Sequence, residues 1–179
     1  MSVKITYLVH GTTTDNEQDL CTGWAPGDLS ELGIQQAKEL GQQVDDKKFD
    51  AFFTSDLKRA TDSAQLGFGD KYEFIQDNRL RECNYGDITQ ASEAIVIYKN
   101  YIDTPFPSGE SMKDVEQRVS DFLEYLKKEY DNKQIAIMAH KAPQLAIEVI
   151  LNKKTWQQAI DQDWRKTKSW QPGWDYYIN

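Results

Sequence analysis

The chain is short of several things, and each shortage excludes something. Among its 179 residues no apolar run approaches the roughly 20 residues that a membrane-spanning helix needs. The opening Met1-Ser2-Val3-Lys4-Ile5 runs straight into a strand-like stretch and lacks the layout of a signal peptide. Two cysteines, Cys21 and Cys83, are too few for a disulfide framework, and a reducing cytoplasm is the simpler expectation. With only two histidines, and these and the cysteines far apart, no zinc-ligand spacing exists, so neither metal nor cofactor is expected. Positive charge is also scarce: 21 Lys and Arg face 29 Asp and Glu, a formal net charge of −8. Such a chain is a poor general ligand for nucleic acid or anionic membrane, and neither is expected as a partner.

Familiar catalytic signatures are missing too. There is no G-x-x-x-x-G-K-[ST] loop and no G-x-S-x-G elbow. Gly67-Phe68-Gly69 is followed by Tyr72, which breaks a dinucleotide fingerprint. A cysteine phosphatase expects Arg six positions after its cysteine, but Gly27 and Thr89 stand there.

What is present is a core-forming 39% of hydrophobic residues, enough for one domain over residues 1–179. Residues 3–9 form a β-rich run ending at His10-Gly11. Ser30 can cap a helix bearing Ile34, Ala37, Leu40 and Val44 at helical spacing. Residues 49–54 read as a second strand, Ser55 or Asp56 as the cap of the next helix, and 72–75 as a short third strand. The pattern also suggests a helix over 91–102 before the Pro/Gly-rich break at 104–109. Ser111 can cap a helix with Val115, Val119, Phe122, Leu126 and Tyr130 on one face. Residues 135–139 form a buried-looking strand ending at His140, with Pro143 suited to the first turn of a following helix. This alternation predicts an α/β fold with a mostly parallel sheet.

In such sheets ligands bind at the carboxyl ends of the strands. Both histidines fall there, His10 after the first strand and His140 after the 135–139 strand; Arg59 lies just beyond the end of the second. Imidazole can act as a nucleophile, and Arg offers a planar fork for phosphate oxygens. Gly11 permits close backbone approach. The set suits phosphoryl transfer without a metal, with a carboxylic acid as proton donor, for which Glu82 is a candidate. Each residue singly also fits a structural role. Asp161-Gln162-Asp163 reads as a solvated helix face, and Arg165, Lys166 and Lys168 as solvated charges.

Six ordered segments over most of residues 3–145 resemble the histidine phosphatase superfamily, also called phosphoglycerate mutase-like. They are Leu8-Val9-His10-Gly11-Thr12-Thr13 with Asn16; Asp28-Leu29-Ser30-Glu31-Leu32-Gly33 with Gln36-Ala37; Ser55-Asp56-Leu57-Lys58-Arg59-Ala60-Thr61; Leu80-Arg81-Glu82-Cys83-Asn84-Tyr85-Gly86; Pro107-Ser108-Gly109-Glu110-Ser111; and His140. The resemblance implies a three-layer αβα sandwich and a metal-free reaction on a small phosphorylated substrate. It implies His10 as the phosphorylated nucleophile, Arg59 and His140 as phosphate holders, Glu82 as the acid, and Gly11, Thr13 and Asn16 near the phosphate.

One departure stands out: the family's R-H-G is Val9-His10-Gly11 here. The missing Arg normally clamps phosphate, and a hydrogen bond to a charged group is worth about 1.5–3 kcal/mol. Lys141, Arg81 and Arg165 are candidate replacements; without one, the site reduces to phosphate recognition. The family's mutases carry a larger insertion than the 87–106 stretch here. A short lid, about 87–110, favours hydrolysis over phosphoryl return, so phosphatase is the first expectation and mutase the third. Four of five tryptophans fall in the tail, about 156–179, and are expected to pack that segment over the sheet, the alternatives being a partner surface or a wall of the substrate pocket.

Overall fold

The computed structural model describes residues 2–179. The elements are β1 (Val3–Val9), α1 (Thr14–Glu17), α2 (Glu31–Gln43), β2 (Ala51–Thr54), α3 (Lys58–Phe68), β3 (Phe74–Gln76), α4 (Met112–Glu129), β4 (Gln134–Ala139), α5 (Lys141–Asn152), α6 (Trp156–Asp161), α7 (Trp164–Thr167) and β5 (Trp174–Ile178). The sheet order is β3-β2-β4-β1-β5, with every pairing parallel except β1 with β5.

Side-chain alternation along the strands sorts the core into two layers. Leu8, Phe52, Ala136 and Met138 pack with Leu40, Ala60, Ala64 and Phe68 of α2 and α3. Ile5, Tyr7, Phe53, Ile135 and Ile137 pack on the other face with Val115, Val119, Phe122 and Leu126 of α4 and Leu145 of α5. The result is the αβα sandwich that the resemblance implies. No helix among the described residues is long and apolar enough to cross a membrane.

Local signals explain most boundaries. Ser30 caps α2 by accepting from the Gly33 amide, and Ser111 with Asp114 forms a capping box at α4. Two expectations need correction. The N-cap of α3 is Leu57, without a side-chain cap; Ser55 Oγ accepts instead from the Leu57 amide, and Asp56 pairs with Arg81. Residues 91–102 do not form an α-helix but two short 3₁₀ turns, Glu93–Ile95 and Tyr98–Tyr101. The β-branched run Ile95-Val96-Ile97 disfavours a continuous helix, and the break buries Tyr98 while leaving Ile95 and Ile97 exposed.

The tail meets expectation in its first part, where Trp156, Ala159 and Ile160 join the core that includes Ile5, Tyr7 and Ile137, and departs from it at its end: the last segment does not lie over the sheet but becomes the antiparallel edge strand β5, with Trp174 opposite Tyr7 and Ile178 opposite Val3. Because β5 runs against β1, the chain leading into it passes the carboxyl end of β1, beside His10.

Candidate active site

A cavity of about 480 Å³ opens at the carboxyl edge of the sheet, lined among others by His10, Arg59, Glu82, His140, Lys141 and Arg165. His10 is half-buried there, and its Nδ1 lies 2.7 Å from the Gly11 carbonyl oxygen. A carbonyl only accepts, so Nδ1 carries the proton and Nε2 keeps the lone pair. The His140 ring centroid is 5.0 Å from that of His10. His140 is buried, and neither ring nitrogen has a hydrogen-bond partner. Its backbone is held from both sides by Tyr7 in β1, whose hydroxyl donates to the His140 carbonyl (2.7 Å) and accepts from its amide (3.1 Å).

Arg59 is 2% exposed. It donates to the carbonyls of Gly23 (2.8 Å) and Ala25 (3.1 Å), which fix the guanidinium in the cavity wall. Glu82 is held at the start of α5: its carboxylate accepts from the amides of Cys83 (2.8 Å), Ala142 (3.0 Å) and Lys141 (3.2 Å). Its own carbonyl accepts from Trp24 and Arg118. Arg118 in turn pairs with Glu110 and bonds to the carbonyls of Arg79 and Arg81, so the Pro107–Ser111 segment acts as a strut under the Glu82 loop.

The electrostatics favour neutral imidazoles. Enclosure, then the charge of Arg59, push the His10 pKa down to about 3 against the opposing bond to Gly11. Burial, then Arg59 and His10, hold His140 well below its ordinary value. The unfolded chain protonates both rings below about pH 6.5, whereas the fold does not. The stability they contribute is therefore complete above pH 6.5 and is lost as pH falls from there towards the folded values. Between pH 7.5 and 5.5 the expected loss is about 1.4 kcal/mol from His10, with His140 acting in the same direction, read from urea midpoints. A His10→Gln/His140→Gln protein with the same pH dependence as wild type would refute this assignment.

A family model described as "Histidine phosphatase superfamily (branch 1)" matches residues 6–161. The chain belongs to that superfamily. A 2,3-bisphosphoglycerate-dependent phosphoglycerate mutase from Rhizobium meliloti (strain 1021) is 32% identical, the match covering 89% of this chain and 84% of the relative. Among solved structures, the alpha-ribazole phosphatase from Shigella flexneri is similar at 26% identity and a TM-score of 0.76, covering 90% of this chain and 84% of that one. A mycobacterial glucosyl-3-phosphoglycerate phosphatase solved with VO3 is similar at 25% identity and a TM-score of 0.78, covering 87% and 85%.

Within this histidine phosphatase domain several candidates occupy different roles from those expected. Thr13 is fully buried and caps α1 in a reciprocal box with Asn16, so it is not among the residues lining the cavity; Asn16 is, although its side-chain oxygen accepts from the Thr13 amide. Gly11 lines the cavity, but its amide donates to Ser63 (3.0 Å) rather than being free for an anion. The backbone that its missing Cβ admits is that of Gly33, whose carbonyl oxygen would lie 2.3 Å from such an atom. Arg81 does not replace the absent Arg at position 9: it is held by Asp56 and lies over the Trp24 ring. Lys141 and Arg165 both reach the cavity.

Three participants escaped the sequence reading. Asp163 is not solvated; it is 3% exposed and pairs with Arg165. Ser63 bridges Arg59 and Gly11. Tyr7 had one signal, a phenol in a strand expected to be buried, whose polar tip had to find a partner.

Proposed function

We propose that this protein is a phosphomonoester hydrolase that works through a phosphorylated His10. The observation that carries the proposal is the fixed tautomer: Nδ1–H is bonded to Gly11, so Nε2 is left with its lone pair in a cavity shared with Arg59, His140 and Glu82. Nε2 attacks phosphorus while the bond to the leaving oxygen breaks. Glu82 gives that oxygen a proton. Arg59 and His140 hold the phosphoryl oxygens, the role that the unpartnered ring nitrogens of His140 suit. Glu82, now a carboxylate, takes a proton from water as that water attacks the phosphohistidine, releasing phosphate and neutral His10. No metal enters this scheme.

The phosphatases among the similar structures support hydrolysis, as does the short stretch between Gly86 and Pro107. The mutase relatives support a second reading, phosphoryl return to an isomeric acceptor. Incubation with phosphoglycerate and a bisphosphoglycerate primer separates them: hydrolysis gives free phosphate, mutation gives the isomer. The decisive experiment is release of phosphate from an aryl phosphate in EDTA, with an acid-labile, alkali-stable label trapped on His10. Binding of phosphate with neither turnover nor label would leave only a recognition protein.

Glu82→Gln removes the acid. The expected loss in kcat/KM, which reports only the steps through phosphorylation of His10, is about 10²–10⁴-fold for an alkyl phosphate and clearly smaller for a nitrophenyl ester, whose leaving group needs no proton. Equal losses in kcat/KM for both esters would remove the acid role from Glu82.

A further inference from the structure

Resting on the reading that the cavity holds a phosphoryl group, we propose that Arg165 is a second phosphate-binding cation, delivered from the C-terminal segment. With both histidines neutral, the cations lining the cavity among the described residues are Arg59, Lys141 and Arg165. Arg59 already gives two N–H bonds to backbone carbonyls. A phosphomonoester dianion therefore requires a donor of positive charge besides Arg59. Position 9, at the end of β1, supplies only the half-buried side chain of Val9 in the same cavity wall.

Topology brings Arg165 to that wall. The segment entering β5 crosses the carboxyl end of β1, and Gly173 packs against the side chains of Thr6 and Leu8 there. Arg165 is then aimed by a buried frame. Asp163 Oδ1, on a side chain 1% exposed, accepts from Arg165 Nη1 (2.8 Å), and Gln144 Oε1 of α5 accepts from Nη2 (3.2 Å). The guanidinium carbon lies 4.5 Å from the centre of the Trp164 ring. Gln144 also accepts from Trp164 Nε1 (3.2 Å), and the Trp164 ring stacks on Trp174, the first residue of β5, at a centroid distance of 5.0 Å. Two of the five guanidinium N–H groups are used in this frame, which leaves three for phosphate oxygens. Lys141 is placed differently: its ammonium lies over the Tyr98 ring (4.8 Å) and 3.7 Å from Asp163 Oδ2. The charge of Arg165 also acts on both histidines, helping to keep them unprotonated.

The test is titration calorimetry with inorganic phosphate at low salt. Arg165→Met and Arg165→Gln, the latter keeping a donor for Asp163, are expected to weaken phosphate binding about ten- to a hundred-fold. The KM for an aryl phosphate should rise in parallel. Lys166→Met removes the same charge from an exposed neighbour on the same helix and is expected to change phosphate affinity by less than about twofold. Wild-type affinity in both Arg165 variants, a Lys166 effect as large as the Arg165 effect, or no phosphate binding by the wild-type protein would each overturn the assignment. The hydrolase reading is judged separately by the label on His10. Arg165-dependent phosphate binding without phosphohistidine would sink the hydrolase and keep the assignment; a labelled His10 with Arg165-independent binding would do the reverse.

Discussion

Replacing His10 with alanine is expected to lower kcat/KM for any accepted phosphomonoester by about 10³-fold or more, the scale on which losing a covalent nucleophile acts. The loss should fall on kcat, because Arg59 and His140, the proposed phosphate holders, remain in place. Arg59 is fixed by the carbonyls of Gly23 and Ala25, and His140 by Tyr7, so neither depends on the His10 ring for its position. Inorganic phosphate should still bind His10→Ala, and acid-labile label should vanish from the protein. Retention of label at another residue would move the nucleophile elsewhere; His140 is the only other imidazole in the chain. Retained turnover without label would mean direct attack by water, with the cavity acting only as a phosphate clamp.

The second large effect is on stability. Gly33→Ala is expected to destabilise the fold by about 3 kcal/mol, a large share of a typical total of about 5–15 kcal/mol. A Cβ at position 33 would lie 1.9 Å from the carbonyl oxygen of Thr12, and one at position 11 would lie 2.3 Å from that of Gly33. The first turn of α2 and the turn after β1 therefore touch backbone to backbone. Neither can yield cheaply: Thr12 O accepts from the Ser30 amide and Gly11 N donates to Ser63. The sign of the effect is informative. By helix propensity alone, Gly→Ala inside a helix stabilises by about 1 kcal/mol, so destabilisation isolates the steric contact. The turn that must move carries His10, and activity should fall with stability. Urea unfolding of the variant is the measurement, and a midpoint at or above wild type would show that the two turns can separate without cost.

Much of the frame was legible because it rests on local chemistry. Serines 30 and 111 cap their helices through hydrogen bonds made within three residues, and the apolar spacing of α2 and α4 needs no tertiary partner to be recognised. The placement of His10, Arg59 and His140 at one edge follows from parallel topology once the strands are found. The apolar residues of 91–102 fit a helical period, whereas its β-branched centre and the burial of Tyr98 against Tyr85 favour a break.

The sequence by itself determined the α/β class, the superfamily and the convergence of His10, Arg59, Glu82 and His140 on one cavity, since these follow from periodicity, caps and ordered motifs. Tertiary structure alone decided what each group is bonded to. Thr13 and Gly11 turned out to be occupied by capping and by Ser63, and Arg81 by Asp56. Asp163 became a buried counter-ion, and Arg165 reached the cavity, because β5 pairs antiparallel with β1 and returns the tail to the carboxyl edge. That pairing joins residues more than 165 positions apart, a distance over which no local propensity operates.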